Sequence, residues 1–301
     1  MTTPGLTPFR IGGREFDFAA RTYIMGILNV TPDSFSDGGR YLSTDAAVAR
    51  GLRMIDEGAD IIDIGGESTR PKGTVYGEGA EPVGPEEELR RVLPVIRQLV
   101  KRTDIPLSID TMKSVVAQEA LAAGAVIVND VSGFRCDAAL PSIVADAGAA
   151  AVVMHSRGTP KTMQAEPVYA DLFGEVMDAL RIAVRAGEAA GVRQMFVDPG
   201  IGFGKTLRHN LELLAHLDRL HEIGRPILVG PSRKSFLGAV LNLPVDERLE
   251  GSLAAVSACV LNGANVVRVH DVRETKRAVA VADAIRRAGE GAMSDNLTSD
   301  R

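Results

Sequence analysis

The chain has 301 residues, 45% of them hydrophobic, with 31 glycines, no tryptophan and a formal net charge of −5. That length accommodates one large α/β barrel with an ample core. The negative balance argues against a nucleic-acid surface, so any anion site must be local. Cys136 and Cys259 lie far apart and outside any CxxC, which argues against a cysteine metal site or a disulfide framework. The opening MTTPGLTPFR lacks the apolar core of a signal peptide, and no apolar run reaches spanning length. A soluble cytoplasmic protein without membrane contact is the expectation.

In chain order, residues 9–18 (FRIGGREFDF) predict a β-hairpin about Gly12-Gly13. This makes residues 1–22 an N-terminal segment ahead of the main fold. One pattern then recurs: a short β-branched run, a polar loop and a longer helical stretch. The strands are expected at Tyr23–Asn29, Asp60–Gly65, Ile105–Asp110, Ala125–Asp130, Ala149–Met154, Met195–Asp198, Pro226–Gly230 and Asn265–His270. The helices are expected at Thr44–Glu57, Pro85–Lys101, Lys113–Ala123, Pro141–Ala147, Val168–Ala190, Leu207–Leu220, Arg248–Asn262 and Glu274–Arg287. Several end in a Gly-Ala or Gly-Val step, such as Gly124-Ala125 and Gly191-Val192, which is helix C-cap chemistry.

Units recurring at roughly 35 residues favour a closed (β/α)8 TIM barrel over a doubly wound sheet. A dinucleotide fold would need G-x-G-x-x-G after its first strand, and Met25–Gly39 contains none. The barrel is expected over residues 23–288, with residues 289–301 a disordered tail.

Such barrels do their chemistry at the carboxyl ends of the strands. Here those ends read Asn29; Glu67 with Ser68-Thr69-Arg70; Asp110; Asn129-Asp130; His155; Asp198; Ser232-Arg233-Lys234; and Arg268 with His270-Asp271. A single such group is more often a cap, but this many around one mouth suit a flat hydrogen-bonding heterocycle carrying an anion. In PILVGPSRKSF (Pro226–Phe236), a short strand stops at Gly230-Pro231 and feeds a helix start, with Ser232 as N-cap candidate beside Arg233 and Lys234. A helix N-terminus flanked by cations suits a carboxylate or phosphate.

These strand ends also carry a family resemblance. MGILNVTPDSFSDGG (Met25–Gly39), GGESTRP (Gly65–Pro71), SIDT (Ser108–Thr111), NDVSG (Asn129–Gly133), DPGIGFGKT (Asp198–Thr206), GPSRKSFLG (Gly230–Gly238) and RVHDV (Arg268–Val272) resemble, in order, the dihydropteroate synthases. The resemblance implies a transferase of folate biosynthesis. It would join 4-aminobenzoate to 6-hydroxymethyl-7,8-dihydropterin diphosphate and release pyrophosphate.

By that resemblance Asp198, Asn129 and Lys234 read the pterin, as the paired acceptors and donors of these side chains permit. Asp110 sits beside the dihydropyrazine ring and offsets positive charge as the methylene–oxygen bond breaks. Asp110, Lys234, Asp198 and Arg268 are the catalytic candidates. Pyrophosphate falls to Asn29, Thr69, Arg268 and His270, with Mg2+ held by Asn29, an ion that takes few protein ligands. Ser235 and the helix start hold the aminobenzoate carboxylate, and Arg70 is a further cation among the substrate-binding candidates. Phe35 and Pro71 wall the aminobenzoate pocket and Phe203 stacks nearby. Because 4-aminobenzoate is a weak nucleophile, a dissociative displacement is expected. The resemblance further implies a homodimer through late barrel helices and competition by sulfonamides.

The loops Val30–Ser43 and Ser68–Gly84, rich in Gly, Pro and Ser, are expected to act as lids. The second, KGTVYGEGAEPV after Pro71, is longer than the short family form. PGIGFGKT misses the first glycine of a P-loop, which argues against nucleotide-triphosphate binding. His209, His216 and His221 are read as surface histidines on one helix, His155 as lying behind the site, and Glu86–Glu88 as a dipole-favoured helix start. A methyltetrahydrofolate-dependent methyltransferase domain is the alternative, since it would share Asp110, Asn129 and Asp198. The SRK turn with Arg268 and His270 favours the synthase, because methyl transfer needs no pyrophosphate site.

Overall fold

Phe9 to Phe16 alternate about a glycine pair and fold back as an antiparallel hairpin, β1 (Phe9–Ile11) with β2 (Arg14–Phe16). In the computed structural model, which describes residues 6–31, 40–67, 83–158 and 167–289, the apolar runs that follow become eight parallel strands. They are β3 (Tyr23–Asn29), β4 (Ile61–Gly65), β5 (Leu107–Asp110), β6 (Ile127–Asp130), β7 (Ala150–Met154), β8 (Met195–Asp198), β9 (Leu228–Val229) and β10 (Val266–Val269). Each pairs with its sequence neighbour, and β10 returns to β3. A parallel bridge between Val197 and Ile227 brings β8 against β9 and completes the barrel.

Helices α1 (Arg40–Asp56), α2 (Pro85–Leu99), α3 (Ser114–Ala122), α4 (Leu140–Asp146), α5 (Leu172–Ala190), α6 (Leu207–Ala215), α7 (Ser235–Leu241), α8 (Leu249–Leu261) and α9 (Val272–Gly289) surround it. Outward strand residues such as Ile62, Ile64, Val128 and Val153 pack with helix residues such as Val95, Ile96 and Leu180 in one continuous core. The inward residues at the strand starts form a second cluster. There Met25, Ile61, Ile127 and Phe196 meet Phe9, Phe16 and Phe18 from the hairpin segment. Phe9, Phe18 and Phe196 pack edge to face, with centroids 5.2 to 5.7 Å apart, a favoured aromatic geometry. The hairpin therefore seals the amino-terminal end of the barrel and leaves the carboxyl end for chemistry.

Five expectations need correction. Helix α1 starts at Arg40, so the first loop ends earlier than Ser43. The predicted single helix over 207–220 is two pieces: α6 stops at Ala215 and a 3-10 turn covers Leu217–Ile223. Its histidines differ accordingly: His209 completes a capping box with Thr206, whereas both ring nitrogens of His221 are buried. The N-cap of α7 is Lys234, without a side-chain cap, and Ser232 is turned elsewhere. Finally, α9 continues to Gly289, while the tail over 290–301 lies outside the described residues. No helix among the described residues is long and apolar enough to cross a membrane.

Candidate active site

Strand alternation sets the site. On β4, Ile61, Asp63 and Gly65 share the inward face, and Asp110, which ends β5, is the register partner of Asn129, the last residue but one of β6. Arg268 projects from β10 across the mouth. Its Nη2 donates to Asp110 Oδ2 at 2.7 Å and its Nε to Asp63 Oδ2 at 2.6 Å. Asn129 Nδ2 donates to the same Asp63 oxygen at 3.0 Å. Asp63 is thus a site residue absent from the sequence-based set. The signal was present: a carboxylate interrupts the apolar run IIDIG in register with the inward positions.

The loops hold their strand-end groups by backbone chemistry. After β6, Asp130 accepts from Ser132 N at 2.7 Å and Phe134 N at 2.6 Å, fixing the NDVSG turn while Asn129 faces inward. After β8, Gly200 N donates to Asp198 Oδ1 at 2.7 Å, which anchors that carboxylate. Gly200 has φ +70° and a Cβ there would meet His155 O at 1.9 Å, so a larger residue would push this turn away from His155. Lys205 is buried under the same loop and ties it together, with Nζ 2.8 Å from His155 Nδ1 and 3.1 Å from Phe203 O. Within PGIGFGKT the lysine thus acts as an internal strut of the loop.

The SRK turn and the end of β10 are stitched together. Arg233 takes a left-handed backbone, φ 57°, uncommon for a side-chain-bearing residue. A bidentate pair with Asp271, at 3.0 and 2.6 Å, and a bond from Arg233 N to Ser252 Oγ at 2.9 Å hold it there. Ser232 Oγ lies 3.1 Å from His270 Nδ1 and accepts from His270 N at 3.3 Å. The turn sends Lys234 inward, where its Nζ stands 4.2 Å from the Phe203 ring centroid, within cation–π range. Gly202 leaves room for it, since a Cβ would approach Lys234 Cδ to 3.1 Å. Ser235 begins α7 beside this turn.

Electrostatics follow from burial. Loss of solvent raises Asp110, against the pull of Arg268 and with a further push from Asp63 and Glu88. Burial also raises Asp198, opposed by the Gly200 amide, Lys234 and Arg268. Lys234 is lowered to about 8 by burial and by Arg268. Burial, then Arg268 and Arg233, lower His270 to about 3, so its ring is neutral at physiological pH. Lys205 falls to about 7 and His155 to about 2, both chiefly through burial.

Asp110, Asn129, Asp198, Phe203, Lys234, Arg268 and His270 therefore converge on one rim, with Asn29 exposed at the end of β3. A Cβ on Gly65 would come 3.7 Å from Asn29 Oδ1 and 3.6 Å from Asp110 Cβ, so glycine keeps the space between them open. Phe35, Thr69, Arg70 and Pro71, together with most of both loops, lie outside the described residues. At the foot of the second loop, Glu67 accepts from Val83 N at 3.0 Å and from Lys113 Nζ at 2.5 Å. Lys113 also pairs with Glu88, which is fully buried. Glu88 thus does more than complement the helix dipole.

The family model for pterin binding enzymes matches residues 25–270. The dihydropteroate synthase of Clostridium beijerinckii is 46% identical over 279 residues, which is 92% of this chain and 98% of that protein. The chain belongs to the dihydropteroate synthases. Escherichia coli dihydropteroate synthase is likewise 46% identical over 270 residues, 89% of this chain and 93% of its own. Among solved structures, the Yersinia pestis dihydropteroate synthase with a sulfonamide drug has a TM-score of 0.85 at 42% identity, covering 93% of this chain and 99% of that one. The Xanthomonas albilineans dihydropteroate synthase in complex with 7,8-dihydropteroate has a TM-score of 0.82 at 42% identity, with coverage of 93% and 99%. Each of these proteins is a synthase by name, which favours that reading over the methyltransferase alternative.

Proposed function

We infer that the chain condenses 6-hydroxymethyl-7,8-dihydropterin diphosphate with 4-aminobenzoate, giving 7,8-dihydropteroate and pyrophosphate in folate biosynthesis. The observation that carries this reading is the convergence of Asp110, Asn129, Asp198, Lys234 and Arg268 on one rim of a family barrel. Asp198, Asn129 and Lys234 bind the edges of the pterin, with carboxylate, amide and ammonium matched to its donors and acceptors. Arg268 and His270, joined by Thr69 from the second loop, bind the diphosphate. Ser235 and Arg70 bind the aminobenzoate carboxylate, and Phe35, Pro71 and Phe203 flank its ring.

The aminobenzoate nitrogen is a weak nucleophile, so the diphosphate departs ahead of attack and leaves a cation delocalised over the pterin. Asp110, held 2.7 Å from Arg268 Nη2, stands where that positive charge develops. No residue has to act as a strong base. The donor set at the rim fits Mg2+ bound mainly through phosphate oxygens and water: Asn29 offers one exposed amide oxygen, and Gly65 leaves space beside it. Mg2+ when bound would neutralise charge on the leaving group, and Asn29 would hold it. Exposed apolar side chains on α8 and α9 (Leu261, Val281 and Ile285) support a homodimer through these helices. Sulfonamides, one of which accompanies the Yersinia pestis protein, are expected to compete with 4-aminobenzoate.

The test is pyrophosphate release with and without 4-aminobenzoate. Stoichiometric release that needs the amine supports the reading, and no release with both substrates present overturns it.

A further inference from the structure

Asp63 is fully buried, yet two of the rim's polar groups end on its Oδ2: Arg268 Nε at 2.6 Å and Asn129 Nδ2 at 3.0 Å. That oxygen already accepts from the Arg268 guanidinium, so the end of Asn129 that meets it is the amide NH2, a donor. The turned-over amide would set two acceptor oxygens against each other inside a poorly solvated barrel, where such a mismatch is costly. Asp63 also sits one inward position before Gly65, beneath the level of Asp110 and Asn129. The NH2 group is therefore drawn down the barrel, and the carbonyl oxygen of Asn129 is turned away from Asp63.

We propose that Asp63 is a positioning residue for the pterin, locking the Asn129 amide so that its Oδ1 is a fixed acceptor at the rim. The inference rests on the pterin lying at this rim, as set out above. Asp63 need not touch the ring. It removes one of two nearly isosteric states of Asn129 before the ligand arrives, so binding does not have to select between them. Holding Arg268 through Nε at the same time directs the rest of the guanidinium toward Asp110 and leaves its charge beside the diphosphate.

The experiment titrates 6-hydroxymethylpterin, a ring without diphosphate and so insensitive to the phosphate role of Arg268. The proteins are the parent, Asp63→Leu, Asn129→Ala and the double variant, with the folded fraction measured by circular dichroism. Asp63→Leu should weaken ring binding about tenfold, the scale of one lost hydrogen bond, and should add less than twofold in the Asn129→Ala background. Unchanged affinity in folded Asp63→Leu, or a full additive loss in the double variant, overturns the proposal. If Asn129→Ala alone leaves affinity unchanged, the pterin does not use this residue and the placement of the ring fails with it. A second measurement needs no Asp63 variant: the Asn129 side-chain amide of the parent, identified by its loss in Asn129→Ala, should exchange slowly with solvent. Fast exchange would overturn the hydrogen bond on which the proposal stands.

Discussion

Arg268 Nη2 and Asp110 Oδ2 lie 2.7 Å apart although 158 positions separate them in the chain. The pair spans the barrel mouth and places a carboxylate of raised pKa under the control of a guanidinium.

Asp110→Asn keeps the shape of the site and removes the negative charge. If Asp110 stabilises a developing pterin cation, single-turnover rates should fall by about 10²- to 10³-fold, the scale for one preorganised electrostatic group. The affinity for pterin diphosphate should change much less. A loss confined to affinity would remove Asp110 from the chemical step.

Lys234 gives the site an alkaline limit. Its pKa is lowered to about 8, so the ammonium is present below that pH and is lost as pH rises through it. Pterin diphosphate affinity should therefore decline as pH rises above about 8. Lys234→Arg stays charged across this range, and its profile should be flat. Titrations from neutral to alkaline pH check both curves.

Ser232→Ala separates two roles for one hydroxyl. In the structure the hydroxyl meets His270 and does not cap α7. The variant should weaken product inhibition by pyrophosphate several-fold, the cost of one hydrogen bond, and leave the KM for 4-aminobenzoate unchanged. A raised aminobenzoate KM with unaltered pyrophosphate inhibition would restore the capping role.

Lys113→Ala should destabilise the fold by about 3–5 kcal/mol, because it strands the buried Glu88 carboxylate. Urea unfolding measures the loss. Glu88→Gln combined with Lys113→Met should recover most of it, whereas an equal loss in the double variant would show that the charge pair is not its source.

Most strands were legible because each is a short β-branched run ended by a polar group, and β3 and β8 keep their expected bounds. At β5 and β9 a proline limits pairing, since Pro106 and Pro226 stand just ahead of them, whereas β4, β6, β7 and β10 lose end residues with no proline beside them. Asp63 was missed because it lies inside a strand, whereas the search for chemistry was made at strand ends. Lys205 was passed over with the P-loop comparison, since its burial depends on His155 folding over it from another loop. The break after Ala215 and the redirected Ser232 depend on tertiary partners, which local propensity does not encode.

The interlocked rings of Phe9, Phe18 and Phe196 make the reaction vessel blind at its base. Among the described residues that leaves the carboxyl-end rim as the way in and out for reactants and products. With the pterin seated at this rim as proposed, it has to settle before the amine that covers it, and the joined molecule leaves by the way its deeper half came in.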